Sequence, residues 1–182
     1  DEENCRLFAV TSSRDQPLKY EVPAQVDSVE SLEEFYSDML DKKLENRFLK
    51  NEKIAAGDER IGQRIERLNS SNFKEKVIKD SQHHSFVLVC RDAESCPYLI
   101  KFLELLAEKD SQKVKHFVLD ASRNEVAELR TEIFPVFLFY KLGQKFRPEF
   151  LMTKFSYANL LNWYQGQLKL VGLPPVELSQ QD

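Results

Sequence analysis

Cys96 stands at the head of an apolar run, Cys96-Pro97-Tyr98-Leu99-Ile100, with Cys90 six residues before it. A thiol is a nucleophile as its thiolate, and the start of a helix favours that form through the helix dipole and unpaired backbone N–H groups. Pro97 marks such a start, because proline at the first helical position lacks only an N–H that would be unpaired anyway. The third cysteine is Cys5. The three offer neither C-x-x-C nor a Cys/His cluster at zinc-ligand spacing, so no metal site is expected. His83 and His84 are adjacent in a polar loop before a strand, and neighbouring strand residues face opposite ways, which argues against joint metal ligation. His116, within an apolar strand, reads as a satisfied core histidine. Trp163, beside the apolar stripe of the last helix, reads as packing.

The elements around these residues follow from hydrophobic periodicity. Ser85-Phe-Val-Leu-Val-Cys90 is a continuous apolar run with β-branched valines, as expected of a strand covered on both faces. Leu99, Ile100, Phe102, Leu103, Leu105 and Leu106 leave the following helix almost without a polar face, which places it against a sheet. A strand is expected at Arg64–Leu68, followed by a helix carrying Phe73, Val77 and Ile78. Lys115–Ala121 reads as a further strand, and Ser122–Arg130 as a short helix with a Ser122/Glu125 capping box and Val126 and Leu129 facing inward. Pro135–Phe146 reads as a strand turning at Lys141–Gly143, and Pro148–Phe155 as its hairpin partner. A helix capped by Ser156 closes the domain with the stripe Tyr157, Leu160, Leu161, Tyr164 and Leu168. Strands and helices in this order call for a partly parallel sheet with helices on its faces.

Ahead of this domain, residues 1–26 show no sustained period and read as an extended arm. Val29, Leu32, Phe35/Tyr36, Met39/Leu40, Leu44 and Phe48 then recur at helical spacing, and Asp27 with Glu30 resembles a capping box, so an amphipathic helix is expected over about 28–50. Its apolar stripe suits either its own domain or a partner. Ala55-Ala56-Gly57-Asp58 suggests a linker. The expected organisation is an N-terminal extension over 1–60, a domain over 61–168 and a tail over 169–182.

The β-α-β-α-β-α-β-β-α order, with Cys96 at the start of the buried helix and Ile133-Phe134-Pro135 ahead of the hairpin, resembles thioredoxin-fold proteins over residues 61–168. The segments that carry the resemblance are SSNFKEKVI, FVLVCRDAESCP, HFVLDAS and IFPVFLFYKLGQ. It implies a mixed sheet of about five strands flanked by about four helices, and a cis peptide bond at Pro135 beside Cys96. The family's dithiol cycle needs a second thiol one helical turn after the first, to resolve the mixed disulfide. Leu99 occupies that position. Cys90 falls where thioredoxins keep a buried aspartate, and Ser95 where they usually carry tryptophan. Cys90 is expected to point into the core from its strand, which argues against a Cys90–Cys96 disulfide.

The tetrapeptide Cys96-Pro97-Tyr98-Leu99 also resembles the C-P-Y-C of glutaredoxins with the last cysteine lost. The Gly-Gly-Asp that such enzymes use for glutathione is absent, Phe155-Ser156-Tyr157-Ala158 standing in its place. Cys96 and Pro135 are therefore expected to mark a vestigial redox position with no catalytic residue, no cofactor and no metal. Monothiol exchange through Cys96 is the alternative, and a non-catalytic chaperone domain similar to those of protein disulfide isomerases a further one.

Composition limits the setting. The chain has 182 residues, 42% hydrophobic and 31% charged, with net charge −4 and mean hydropathy −0.48, as for an ordinary globular protein. An acidic balance disfavours nucleic acid as a partner, since wrapping a polyanion needs a basic stripe. No apolar run approaches the ~20 residues of a membrane-spanning helix. The start at Asp1 is what a precursor trimmed of a targeting peptide looks like. The functional expectation is a structural or accessory subunit that contacts other protein subunits through residues 1–60 and the tail. The expected setting is a mitochondrial assembly such as a respiratory complex or ribosome, with the endoplasmic-reticulum lumen as the alternative.

Overall fold

A computed structural model describes residues 8–10, 19–22, 26, 28–41, 51–126, 128–129, 131, 133–151 and 155–178. The chain forms two compact units, Asp1–Leu49 and Lys50–Asp182.

In the first unit, β1 (Phe8–Val10) and β2 (Lys19–Glu21) pair antiparallel, so the described part of the expected arm is a short hairpin. Strands of three residues are too short for alternation to register as a period. Helix α1 (Val29–Leu40) follows. Its cap is one residue later than expected: the Ser28 hydroxyl accepts from the Ser31 N–H, and the Ser31 hydroxyl accepts from the Ser28 N–H, each at 3.1 Å. The expected cap, Asp27, lies outside the described residues, as do 42–50, where the helix was expected to continue. Asp41 ends it, its N–H reaching the Ser37 and Met39 carbonyls. Phe35 and Met39 are buried with Tyr20 against Ala9, Val22 and Val26. The hairpin leaves Val29, Leu32, Tyr36 and Leu40 more than half exposed. The apolar stripe therefore divides into a packed face and an open one.

The second unit is an α/β structure built on a six-stranded mixed sheet. Its elements are β3 (Arg60–Ile61), β4 (Ile65–Leu68), a π-helical turn (Lys74–Ile78), β5 (His84–Cys90), a 3-10 turn (Ala93–Ser95), α2 (Pro97–Lys109), β6 (Val114–Asp120), β7 (Val136–Tyr140), β8 (Glu149–Leu151) and α3 (Tyr157–Leu170). The strands lie in the order β3-β4-β6-β5-β7-β8. β4, β6 and β5 are parallel, and β3, β7 and β8 pair antiparallel to their neighbours.

β5 sits between β6 and β7, and Ser85 through Cys90 are buried. Alternation splits it between two cores. Phe86, Leu88 and Cys90 join Phe102, Leu103, Leu106 and Tyr164 of α2 and α3 on one face. Val87 and Val89 join Phe73, Val77, Phe117 and Leu138 on the other. Ser156 caps α3 by accepting from the Asn159 N–H at 3.2 Å, as expected. The tail up to Leu178 returns to its own core, where Val176 is buried and its carbonyl accepts from Gln165 Nε2 at 3.1 Å. The residues just before the expected linker are also bonded into this unit, the Glu52 N–H donating to Asn124 Oδ1 at 3.0 Å.

The helix expected over Ser122–Arg130 does not form among its described residues. Asp120 Oδ1 accepts from the Ser122 N–H at 2.8 Å and the Arg123 N–H at 3.3 Å, and the Glu125 N–H is taken by Ser70 Oγ at 2.9 Å. These bonds hold the segment as a turn against the end of β6 and Ser70. Val126 and Leu129 still face the core. No helix of the described residues is long and apolar enough to cross a membrane.

Candidate functional site: the Cys96 cleft

Three connections bring the site together at one end of the sheet. β5 ends at Cys90. The Asp92 side chain accepts the Glu94 N–H at 3.1 Å and holds the tight turn that follows. Cys96 then caps α2, its carbonyl accepting the N–H groups of Leu99 at 3.1 Å and Ile100 at 3.0 Å. Asp120, at the end of the neighbouring strand β6, accepts the Ala93 N–H at 3.1 Å and ties the turn to the sheet. Burial alone raises the Asp120 carboxyl, but hydrogen bonds from the Ser122 side chain and from the Ala93, Ser122 and Arg123 N–H groups outweigh it and hold the carboxyl below its ordinary range.

A cleft of about 290 Å³ opens where α2 meets the Phe134–Pro135 segment, lined by Arg91, Ser95, Cys96, Pro97, Tyr98, Leu99, Phe134 and Pro135. The structure thus places Cys96, Leu99 and Pro135 on one cleft, and the Phe134–Pro135 bond is cis. Cys96 is only 5% exposed, with Ser95 Oγ 3.9 Å from its sulfur. Leu99 packs partly buried against the core instead of presenting a thiol. Arg91 supplies positive charge at the rim. Its role was not legible in sequence, where nothing marks the residue after a buried strand as facing a cleft. Tyr98 and Leu99 also border an apolar groove of about 320 Å³ with Phe102, Leu105, Phe155 and Tyr157.

Cys90 is wholly buried, as expected, and both thiols are free. Cys96 turns inward from the helix cap into the same core as Cys90. Burial pushes the Cys90 thiol far above the ordinary range, and Cys96, Asp120 and Asp92 add to the effect.

The histidines lie elsewhere. His83 Nδ1 is 3.0 Å from Asp80 Oδ2. His84 belongs to β5 and not to the loop, and its Nδ1 accepts from the Leu142 N–H at 3.0 Å. His116 is buried beside Tyr164, its Nε2 3.1 Å from the tyrosine hydroxyl. Trp163 packs on the core with its ring 6.1 Å from that of Phe86. Among the described residues no group of three His, Cys, Asp or Glu side chains converges as metal ligands.

No family model matches the chain, and no curated protein matches it.

Proposed function

We propose that the second unit is a thioredoxin-like domain serving as a rigid body, and that the chain is a non-catalytic structural or accessory subunit of a larger protein assembly. The strand order β4-β6-β5-β7-β8, with a cysteine-capped helix facing Pro135 across a cleft, supports the thioredoxin-like reading. The observation that carries the subunit role is the open face of α1. Val29, Leu32, Tyr36 and Leu40 form an apolar stripe that the hairpin does not cover, and ordered apolar faces of this kind mark protein–protein contacts. With the tail to Leu178 folded onto its own core, contacts to other subunits fall to the N-terminal unit.

The native protein should then sediment as part of a particle well above its own 21.3 kDa. A Leu32→Asp/Tyr36→Asp double variant should shift it to the monomer. Native protein found wholly as a monomer would overturn the reading.

A second reading, monothiol exchange through Cys96, is favoured by one observation: the cysteine shares its cleft with Pro135 and with the cationic Arg91. It requires a mixed disulfide between Cys96 and glutathione that free glutathione reduces in repeated cycles. Failure to turn over excludes it.

A further inference from the structure

Neither reading above uses the other end of the sheet. The Cys96 cleft lies beyond the last residue of β5, whereas a second cleft, of about 260 Å³, lies where the parallel strands β4 and β6 begin. The β3–β4 turn, the end of α2 and the connection into β6 enclose it. Strand register brings these segments together, Ile65 of β4 standing beside His116 of β6. The lining carries Arg60, Arg64 and Lys115 against a single carboxylate, Glu66, although the chain as a whole has net charge −4.

These charges are not equivalent. Lys115 is paired with Asp80 at 2.9 Å, and Glu66 with Lys76 at 2.7 Å. Arg60 and Arg64 have no carboxylate partner among the described residues. Arg64 is nevertheless held in place, its Nη1 donating to the Ala107 carbonyl at 3.2 Å. A guanidinium has five N–H donors in a rigid fork, so one bond fixes it and leaves the rest for a ligand. Ser111, on the same lining, has a buried hydroxyl with no hydrogen-bond partner among the described residues. Buried polar atoms are nearly always paired, so an orphan on the wall of a cationic cleft points to an acceptor from outside the chain.

We propose that this cleft binds a small organic phosphate, with its phosphoryl group held by Arg60 and Arg64. Guanidinium groups match phosphate oxygens in planar, bidentate pairs. Two arginines that the protein leaves unneutralised favour a dianion over a single carboxylate. The volume suits a phosphoryl group carrying a short carbon chain, since pockets for drug-sized ligands begin at about 300 Å³. The acidic balance of the chain opposes a nucleic-acid backbone in the same place. The inference is independent of the assembly reading, because the cleft belongs wholly to the second unit and is tested on the isolated chain.

The test titrates the full purified chain, at low ionic strength, with glycerol 3-phosphate and separately with inorganic phosphate, following backbone amide shifts by NMR. Saturable shifts are expected at Arg60–Glu66 and Ser111–His116, with the ester bound more tightly than the free ion. Arg60→Gln and Arg64→Gln should each weaken binding roughly ten- to a hundredfold, the effect of one lost charge-assisted contact. Arg60 is exposed and unpaired by any carboxylate, so its variant should keep the parent's urea midpoint, which separates lost binding from lost folding. Lys141→Gln removes the same charge from the β7 end of the sheet and should leave affinity unchanged. Inorganic phosphate bound as tightly as the ester would overturn the organic assignment. No saturable shift below about 10 mM of either probe, shifts centred on Arg91 instead, or equal weakening by Lys141→Gln would overturn the site itself.

Discussion

His116 Nε2 and Asp110 Oδ2 lie 3.4 Å apart in the core, and the Tyr164 hydroxyl joins them, donating to Asp110 and lying 3.1 Å from the imidazole. Burial pushes both groups towards their neutral forms. It lowers His116 to about 3, with the charge of Arg64 adding to the effect, and it raises Asp110 against the opposing hydrogen bonds from Tyr164 and Ser111. With His116 neutral well below pH 7, the two are joined by hydrogen bonds through Tyr164 and not by an imidazolium–carboxylate ion pair, which avoids the desolvation cost of a buried charge pair.

The network makes stability depend on pH. In the unfolded chain His116 takes a proton below about 6.5, whereas the folded protein refuses it until about 3. The unfolded state binds more protons between those values, so stability falls as pH drops through that window. Asp110 has the opposite sign: its folded form keeps a proton to higher pH, so its contribution declines as pH rises past the ordinary carboxyl range. Between pH 7 and 4 the histidine titrates in the unfolded chain alone, and its contribution is the one that a His116 variant removes. Denaturation curves from pH 7 to 4 should show the wild type losing on the order of 3 kcal/mol more than His116→Gln, the equivalent of about 2.5 pH units at 1.36 kcal/mol each. Parallel pH profiles would refute it.

Tyr164→Phe isolates the bridging hydroxyl. The ring stays against Phe86, whose centroid is 4.5 Å away, so packing is retained while Asp110 and His116 each lose a buried partner. A cost of about 1–3 kcal/mol is expected from the unsatisfied polar groups, read as a lower urea midpoint with an unchanged slope. A loss below about 0.5 kcal/mol would mean that Asp110 and His116 satisfy one another without the tyrosine.

What could be read in advance divides along physical lines. The strand Ser85–Cys90 and the helix from Pro97 were legible because one is a continuous apolar run and the other carries its proline at the first turn. The Ser156 cap was legible because its geometry is local. The helix expected over Ser122–Arg130 was not, since the segment is held as a turn by Asp120 and by Ser70, a residue more than fifty positions earlier that no local pattern registers. β3, two residues long, carries no periodic signal. At the candidate site, placing Cys96 near Pro135 needed only a resemblance in element order. The inward turn of Cys96 into the core needed the orientation of the Asp92–Ser95 turn, which Asp120 of a different strand fixes. The division of the α1 stripe into two faces likewise depends on how much of it a small hairpin can cover.

Asp120→Ala should loosen that turn. The carboxylate accepts from the Ala93, Ser122 and Arg123 N–H groups and from the Ser122 hydroxyl, and its removal leaves backbone donors without partners. A loss of about 1–3 kcal/mol is expected, together with faster alkylation of Cys96 as its turn opens. Because the folded carboxyl sits below its ordinary range, the contribution is complete above that range and disappears as pH falls through the folded value. The variant and the wild type should therefore converge in stability in acid. An unchanged alkylation rate with reduced stability would separate the turn from the sheet-end contact.

Lys145 gives the last prediction, at alkaline pH. It is a lysine in the β7–β8 connection that is only 6% exposed, its Nζ donating to Ser85 Oγ at 2.8 Å. Burial lowers it to about 8, Asp80 opposing the shift and Lys115 adding to it. The unfolded lysine holds its proton to about 10.4. Between those values the unfolded state binds more protons, so the lysine's contribution to stability rises with pH across that window and is level below it. Lys145→Met removes the titration and the burial of charge together. The variant should be more stable than the wild type near pH 7 by about 1–3 kcal/mol, an order of magnitude set by the shift less the lost bond to Ser85. That advantage should shrink as pH rises towards 10, where the wild-type lysine is buried neutral. Denaturant midpoints of the two proteins at pH 7 and pH 10 decide it, and a gap that widens with pH would show that the buried ammonium is stabilised by Ser85 and Asp80 more than burial penalises it.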